Sequence, residues 1–226
     1  MKPTASATTL RIAESFLSLQ GEGPTAGTPA HFLRLQGCDV GCRWCDSRYT
    51  WDAARGGEVP LEQALGALRA LGEAPLLVVT GGEPLEHPGV RELLTAALGL
   101  WPRVEVETSG LRPPLLTHAR LAYNCSPKLP SATDRWEETW GHAAAFACDP
   151  NTTFKLVVGE DPDTADALRL VAACALPRAR VVLMPEGLTD AAVHARALAL
   201  AEVCKREGLR FGPRLHVWLW GARRGV

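Results

Sequence analysis

Short apolar runs alternate with stretches of helical periodicity along most of this chain. The runs Ala30 to Leu35, Leu76 to Thr80, Val104 to Glu107, Leu121 to Asn124, Thr153 to Val158, Ala179 to Met184 and Leu215 to Leu219 predict strands. They are nearly all apolar, as expected for a parallel sheet covered on both faces. Between them, Leu61, Leu65, Leu68 and Leu71 make one apolar helical face. Val90, Leu93, Leu94, Ala97 and Leu98 make a second, and Val193, Ala197, Leu200, Ala201 and Cys204 a third. Each set keeps the 3.6-residue period. Pro60 and Asp190 stand where helices begin, and Gly208 where the last one stops.

About seven strands alternating with helices predict an α/β fold with a mostly parallel sheet. A closed eight-fold barrel takes about 250 residues. A chain of 226 residues therefore points to an open, incomplete (β/α) barrel, read as one domain over residues 1–226. In such folds the functional groups gather at the carboxyl ends of the strands. Five polar clusters fall there: 37–47, 81–84, 108–110, 126–128 and 185–186.

Composition narrows the picture. Hydrophobic residues make up 46% and charged residues 22%, so a large core needs no disulfides. Basic and acidic side chains nearly balance, 24 against 25, which excludes the basic excess of a nucleic-acid or anionic-membrane partner. The uncharged apolar runs are shorter than the ~20 residues of a membrane span. Met1 to Thr9 lacks the apolar stretch of a secretory signal. The expected location is the cytoplasm, where seven cysteines are metal-binding, reactive or buried rather than bridged.

Three of those cysteines crowd into eight residues. Cys38, Cys42 and Cys45 form a C-x3-C-x2-C run. Three thiolates on one loop can hold three corners of a zinc or iron–sulfur centre. A structural zinc takes four protein ligands, as does the usual [4Fe–4S] cluster, and no fourth ligand lies nearby in sequence. Either one metal position stays open, or a distant ligand completes a zinc knuckle, or the thiols are merely buried. Cys125, Cys148, Cys174 and Cys204 are expected to be small packing residues. Trp136, Trp140, His87, His118, His142 and His194 carry no motif.

The run, with Trp44 at its aromatic position, resembles the signature of the radical S-adenosylmethionine (SAM) superfamily. The resemblance implies a [4Fe–4S] cluster on Cys38, Cys42 and Cys45 whose fourth iron chelates SAM. One electron then cleaves SAM, and the 5′-deoxyadenosyl radical takes a hydrogen atom from the substrate. Thr80-Gly-Gly-Glu-Pro84 resembles that superfamily's SAM-contacting turn; a glycine pair lets backbone approach a ligand closely.

Further segments resemble the 7-carboxy-7-deazaguanine synthases in particular. They are ES-x3-LQGEG from Glu14, FLRL from Phe32, ETSG from Glu107, SPK from Ser126, MPEG from Met184 and the WG-x2-RG end. This resemblance implies ring contraction of 6-carboxy-5,6,7,8-tetrahydropterin to 7-carboxy-7-deazaguanine and ammonia, with SAM and Mg²⁺ as cofactors. It implies SAM contacts at Gly81, Gly82, Glu83, Gly110, Ser126, Pro127, Lys128, Met184, Pro185 and Glu186. Substrate contacts are implied at Leu19, Gln20, Gly21, Glu22, Arg34 and Thr108. Arg34 suits a substrate carboxylate, which a guanidinium binds bidentately. Ser47 stands where the family usually has a Mg²⁺-ligating threonine, and its hydroxyl offers the same oxygen donor. A homodimer and an electron donor such as a flavodoxin or ferredoxin are implied as well. Two alternatives stay open: another radical SAM enzyme, such as a glycyl-radical activase, or a metal-cluster protein that is not an enzyme.

Overall fold

The computed structural model describes residues 8–159, 161–221 and 223–226. Residues 1–7, which hold most of the stretch read for a signal segment, lie outside the described residues. So do Glu160 and Ala222.

Nine strands form one open sheet among the described residues. Two of its strands come first, β1 (Thr9–Leu19) and β2 (Pro29–Leu35), followed by β3 (Gly57–Pro60) and helix α1 (Leu61–Arg69). Then come β4 (Leu76–Gly81), α2 (Val90–Leu100), β5 (Arg103–Thr108) and β6 (Leu121–Cys125). Two short helices, α3 (Trp136–Trp140) and α4 (Ala143–Cys148), precede β7 (Thr153–Val158) and α5 (Asp161–Ala173). The chain ends with β8 (Val181–Pro185), α6 (Asp190–Glu207), β9 (Arg210–Phe211) and α7 (Leu215–Trp220). The strand order is β3-β1-β2-β4-β5-β6-β7-β8-β9. From β2 to β9 every pairing is parallel, whereas β1 runs antiparallel to both β2 and β3. The expected open, mostly parallel α/β barrel is what the chain forms.

The convex face of the sheet is the core. Leu33, Leu35, Leu77, Val79, Val104, Val106, Tyr123, Phe154 and Leu156 pack there beneath α1, α2, α5 and α6. All five apolar residues expected on α2 are buried. Leu71, expected to extend the α1 face, falls beyond the helix and is exposed. Helix α6 begins where Thr189 caps the backbone N–H of Ala192 and ends at Gly208, which takes the left-handed conformation.

Several expectations are corrected. Leu215 to Leu219 is not a strand but the body of α7. A run of five mostly apolar residues does not distinguish strand from helix. Here β9 has already taken the edge position beside β8, and Gly212-Pro213 turns the chain away from the sheet. Strands β1, β3 and β9 were not foreseen. Nor are the strands uniformly apolar: Glu105, Asn124 and Lys155 are buried on β5, β6 and β7, and Glu107 on β5 is half-buried. Of the four cysteines expected to pack, Cys125 and Cys204 are buried, but Cys174 is half-buried and Cys148 exposed.

Candidate active site

The sheet curls around a cavity of about 450 Å³ lined from Glu14 and Phe16 on β1 to Val157 on β7. The cysteine loop forms part of its mouth. That loop leaves β2 at Leu35 and closes on itself, because Gly37 N donates to Thr50 O at 2.7 Å and Cys38 N to Trp51 O at 3.3 Å. Its outer side is tied to the chain beyond β6, where Thr133 Oγ1 donates to Val40 O at 2.6 Å and Arg43 N to Ala132 O at 2.8 Å. Cys38, Cys42 and Cys45 all line the cavity, and all are free thiols. Burial pushes the Cys38 thiol up to about 11, and the nearby Glu83, Cys42 and Cys45 add to the shift. Burial raises Cys42 as well, against the pull of Lys128. Cys45 Sγ accepts hydrogen bonds from Trp51 Nε1 and from the Ser47 backbone N–H, each at 3.4 Å.

This donor set fits a metal cluster. Three soft thiolates from one loop face a cavity, N–H donors point at one sulfur, and a cationic centre would offset the burial that disfavours lone thiolates. Among the described residues, no group of three His, Cys, Asp or Glu side chains converges on a point suited to a single metal ion. Ser47 is buried, with its Oγ 3.6 Å from Cys45 Sγ.

Gly81 and Gly82 explain how β4 meets that loop. A Cβ on Gly82 would lie 2.1 Å from Gly37 O and 2.6 Å from Cys38 Cβ, so only glycine allows the two segments to touch. The Glu83 backbone N–H donates to Gly37 O at 2.9 Å. The Glu83 carboxylate turns the other way. It accepts from Thr108 Oγ1 at 2.7 Å, from Ser109 N at 2.7 Å, from the Ser109 hydroxyl and from Leu85 N at 3.1 Å. Burial raises its pKa despite these donors. Glu83 is therefore a strut joining the ends of β4 and β5.

Residues 134–147, which match no motif, brace the turn after β6 from outside. Thr139 Oγ1 accepts from Lys128 N, and Trp140 Nε1 donates to Lys128 O, both at 2.8 Å. Gly110 serves the same contact, since a Cβ there would meet Thr139 O at 2.6 Å. Lys128 Nζ reaches Ser126 Oγ at 3.1 Å on the cavity side.

The concave face carries a charge network. Lys155 Nζ donates to Glu22 Oε2 at 2.8 Å and to the Glu107 carboxylate. Glu107 Oε1 also accepts from Gln20 Nε2 at 3.1 Å and Asn124 Nδ2 at 2.9 Å. Arg214 joins three segments through Glu22 Oε1 at 3.3 Å, Asp46 Oδ2 at 3.0 Å and Gly187 O at 2.5 Å. Burial alone would raise Glu22, but Lys155, Arg214 and His216 hold it far below the usual carboxylate range. Burial would likewise lower Lys155, yet Glu107 and Glu22 keep it firmly protonated. Gln20 is spent inside this network: its backbone pairs with Thr28 and Gly27, and its amide holds Glu107.

Fifteen residues named from the sequence therefore surround one cavity: Cys38, Cys42, Cys45, Ser47, Gly81, Gly82, Ser126, Pro127, Lys128, Leu19, Gln20, Gly21, Glu22, Arg34 and Thr108. Glu83, Gly110, Met184, Pro185 and Glu186 are not brought to its wall. Met184 and Pro185 are buried in β8, and Glu186 lies 3.7 Å from Arg196. Sequence reasoning missed Glu14, Tyr49, Glu107, Lys155, Arg214, His216 and Arg224, which do line it. The period-two alternation of Arg103-Val-Glu-Val-Glu-Thr108 was a readable sign of an inward polar face.

The fold and its cysteine loop define a class. A sequence model of the radical SAM superfamily matches residues 33–124. By structure the chain is similar to SuiB from Streptococcus suis, with a TM-score of 0.55 at 12% identity over 77% of this chain and 47% of that one. That likeness concerns the fold alone. A crystal structure of QueE from Escherichia coli is nearer, with a TM-score of 0.73 at 26% identity over 92% of this chain and 95% of that one.

Curated relatives narrow the class. A 7-carboxy-7-deazaguanine synthase from Pyrobaculum aerophilum is 40% identical over 96% of this chain and 97% of its own. Another from Halobacterium salinarum is 35% identical over 93% and 90%. The chain belongs to the 7-carboxy-7-deazaguanine synthase family.

Proposed function

We propose that this enzyme converts 6-carboxy-5,6,7,8-tetrahydropterin to 7-carboxy-7-deazaguanine and ammonia by a radical ring contraction. The observation that carries the reading is one cavity faced by three loop thiols at its mouth and by the Arg34 guanidinium on its wall. When bound, a [4Fe–4S] cluster and SAM supply a carbon-centred radical that takes a hydrogen atom from the substrate.

The chain's own residues do the rest. Cys38, Cys42 and Cys45 hold the cluster and leave one iron for SAM. Gly81, Gly82, Ser126, Pro127 and Lys128 border the SAM position. Arg34 takes the substrate carboxylate. Glu22 and Glu107, fixed by Lys155 and Gln20, present acceptors to the amino-pyrimidine edge of a pterin. Leu19, Gly21 and Thr108 complete that wall. Ser47 is the side chain for Mg²⁺, whose preference is for hard oxygen.

The electron donor in this reading is a small flavodoxin or ferredoxin, and the active unit is a cytoplasmic homodimer. No helix among the described residues is long and apolar enough to cross a membrane.

The test is anaerobic reconstitution with iron and sulfide, followed by reduction and addition of SAM, Mg²⁺ and the carboxytetrahydropterin. Formation of 7-carboxy-7-deazaguanine is expected. Deoxyadenosine without that product would overturn the substrate assignment and keep the superfamily chemistry. A colourless protein holding one zinc would overturn both.

A further inference from the structure

The antiparallel pair β1–β2 contains one irregularity, and it lies at the cavity. Ile12 pairs with Leu35, but Glu14 pairs with Arg34. Continued without a bulge, that register would set Glu14 opposite Leu33, which is fully buried in the convex core. The extra residue moves Glu14 to the concave face, as bulges beside active sites re-aim side chains.

There the Glu14 carboxylate gathers two neighbours on one oxygen. Arg34 Nε donates to Oε1 at 2.7 Å, and Tyr49 Oη donates to the same oxygen at 2.6 Å. Among the described residues, the terminal nitrogens of Arg34 have no protein acceptor. The planar fork, which binds carboxylates bidentately, is left to the cavity. The Arg224 guanidinium stacks on the Tyr49 ring at 3.6 Å from its centroid. All four residues line the cavity.

We infer that Glu14 is a positioning residue for the anionic end of the substrate. It holds Arg34 by Nε and Tyr49 by its hydroxyl, so that two guanidiniums, Arg34 and Arg224, face one carboxylate. Two cations against one anion leave this end of the cavity net positive, as a monocarboxylate requires. The role rests on the proposed reaction and adds to it: Glu14 selects carboxylated pterins without touching them.

The experiment compares wild type, Glu14→Gln, Tyr49→Phe and Arg224→Ala in reconstituted enzyme. It reads KM and kcat for 6-carboxy-5,6,7,8-tetrahydropterin, and SAM affinity. It also reads the binding preference for that pterin over tetrahydropterin lacking the carboxylate. Loss of a charge-assisted contact in Glu14→Gln is expected to raise KM roughly tenfold and to erode the preference equally, with SAM affinity changed less than about twofold. Tyr49→Phe, which removes one hydrogen bond, is expected to raise KM about threefold. If Glu14→Gln fails to fold, Tyr49→Phe and Arg224→Ala decide through the same preference. Unchanged KM and preference in the folded variants would overturn the inference, as would an equal loss of SAM affinity. Wild-type enzyme that makes no deazaguanine would instead sink the proposed function, and the binding preference would still judge Glu14.

Discussion

Lys155 and Phe154 are neighbours on β7, both almost fully buried, yet they belong to different kinds of interior. Phe154 points to the convex face and packs among leucines and valines under helices. Lys155 points to the concave face and is held by two carboxylates. The apolar side gains from area removed from water and is indifferent to which neighbour supplies the contact. On the polar side each charge depends on one particular partner, because a buried ion is tolerated only while paired. The first interior makes the barrel. The second shapes what the barrel can bind.

The comparison breaks most severely at the cavity mouth. Alanine at Cys38, Cys42 or Cys45 is expected to abolish deazaguanine formation and to lower bound iron after reconstitution. The apoprotein's thermal midpoint should stay close to wild type, since these half-exposed thiols are not core. A midpoint that collapsed with the iron would make the loop part of the folding core.

Next come the two neighbours on β7. Phe154→Ala should cost about 3–5 kcal/mol through the cavity it leaves. Lys155→Met should cost about 3–5 kcal/mol by stranding Glu107 and leaving Glu22 to Arg214. Urea unfolding as a function of pH separates them. Glu22 has its pKa depressed in the folded state, so its stabilisation is complete above the unfolded value of about 4.3 and is lost as pH falls. Burial pushes Glu107 the other way; its ionised form costs stability at neutral pH, and that cost is relieved as pH falls. Without Lys155 both carboxylates lose a counter-charge, so protonation in acid relieves the variant more than wild type and the gap between them shrinks. The gap for Phe154→Ala should hold steady. A pH-independent Lys155→Met gap would mean the network carries no net charge coupling.

Gly82→Ala should have an intermediate effect, about 1–3 kcal/mol, from forcing a methyl against Gly37 O. Its signature is iron lost beyond what stability explains, because the strain falls on the cysteine loop. The smallest effect is expected at Thr189→Ala, about 1 kcal/mol for the lost cap of α6, with iron and KM unchanged. A change in iron binding there would blur the line between scaffold and site.

Much of the scaffold was legible in the chain itself. Apolar runs such as Leu76 to Thr80 and the α2 face report their burial by composition and period alone. The cysteine spacing and the glycine pair are local, so their chemistry survives without a fold. The network was much less legible. Lys155 reads like any polar residue in a strand until β7 lies beside β6 and opposite the Glu22 loop. The run Leu215 to Leu219 is apolar enough for a strand, and only the β9 edge and the preceding turn make it a helix.

Sequence alone therefore determined the α/β class, the open barrel and the three-thiol loop, because periodicity and short-range spacing are properties of neighbouring residues. Tertiary structure decided that Gln20 and Glu83 are struts, that a bulge aims Glu14 at Arg34, and that Lys155 has two carboxylate partners. These depend on strand register and on contacts between residues as far apart as Glu22 and Arg214. One step of register exchanges the core face for the cavity face, and no local pattern records that step.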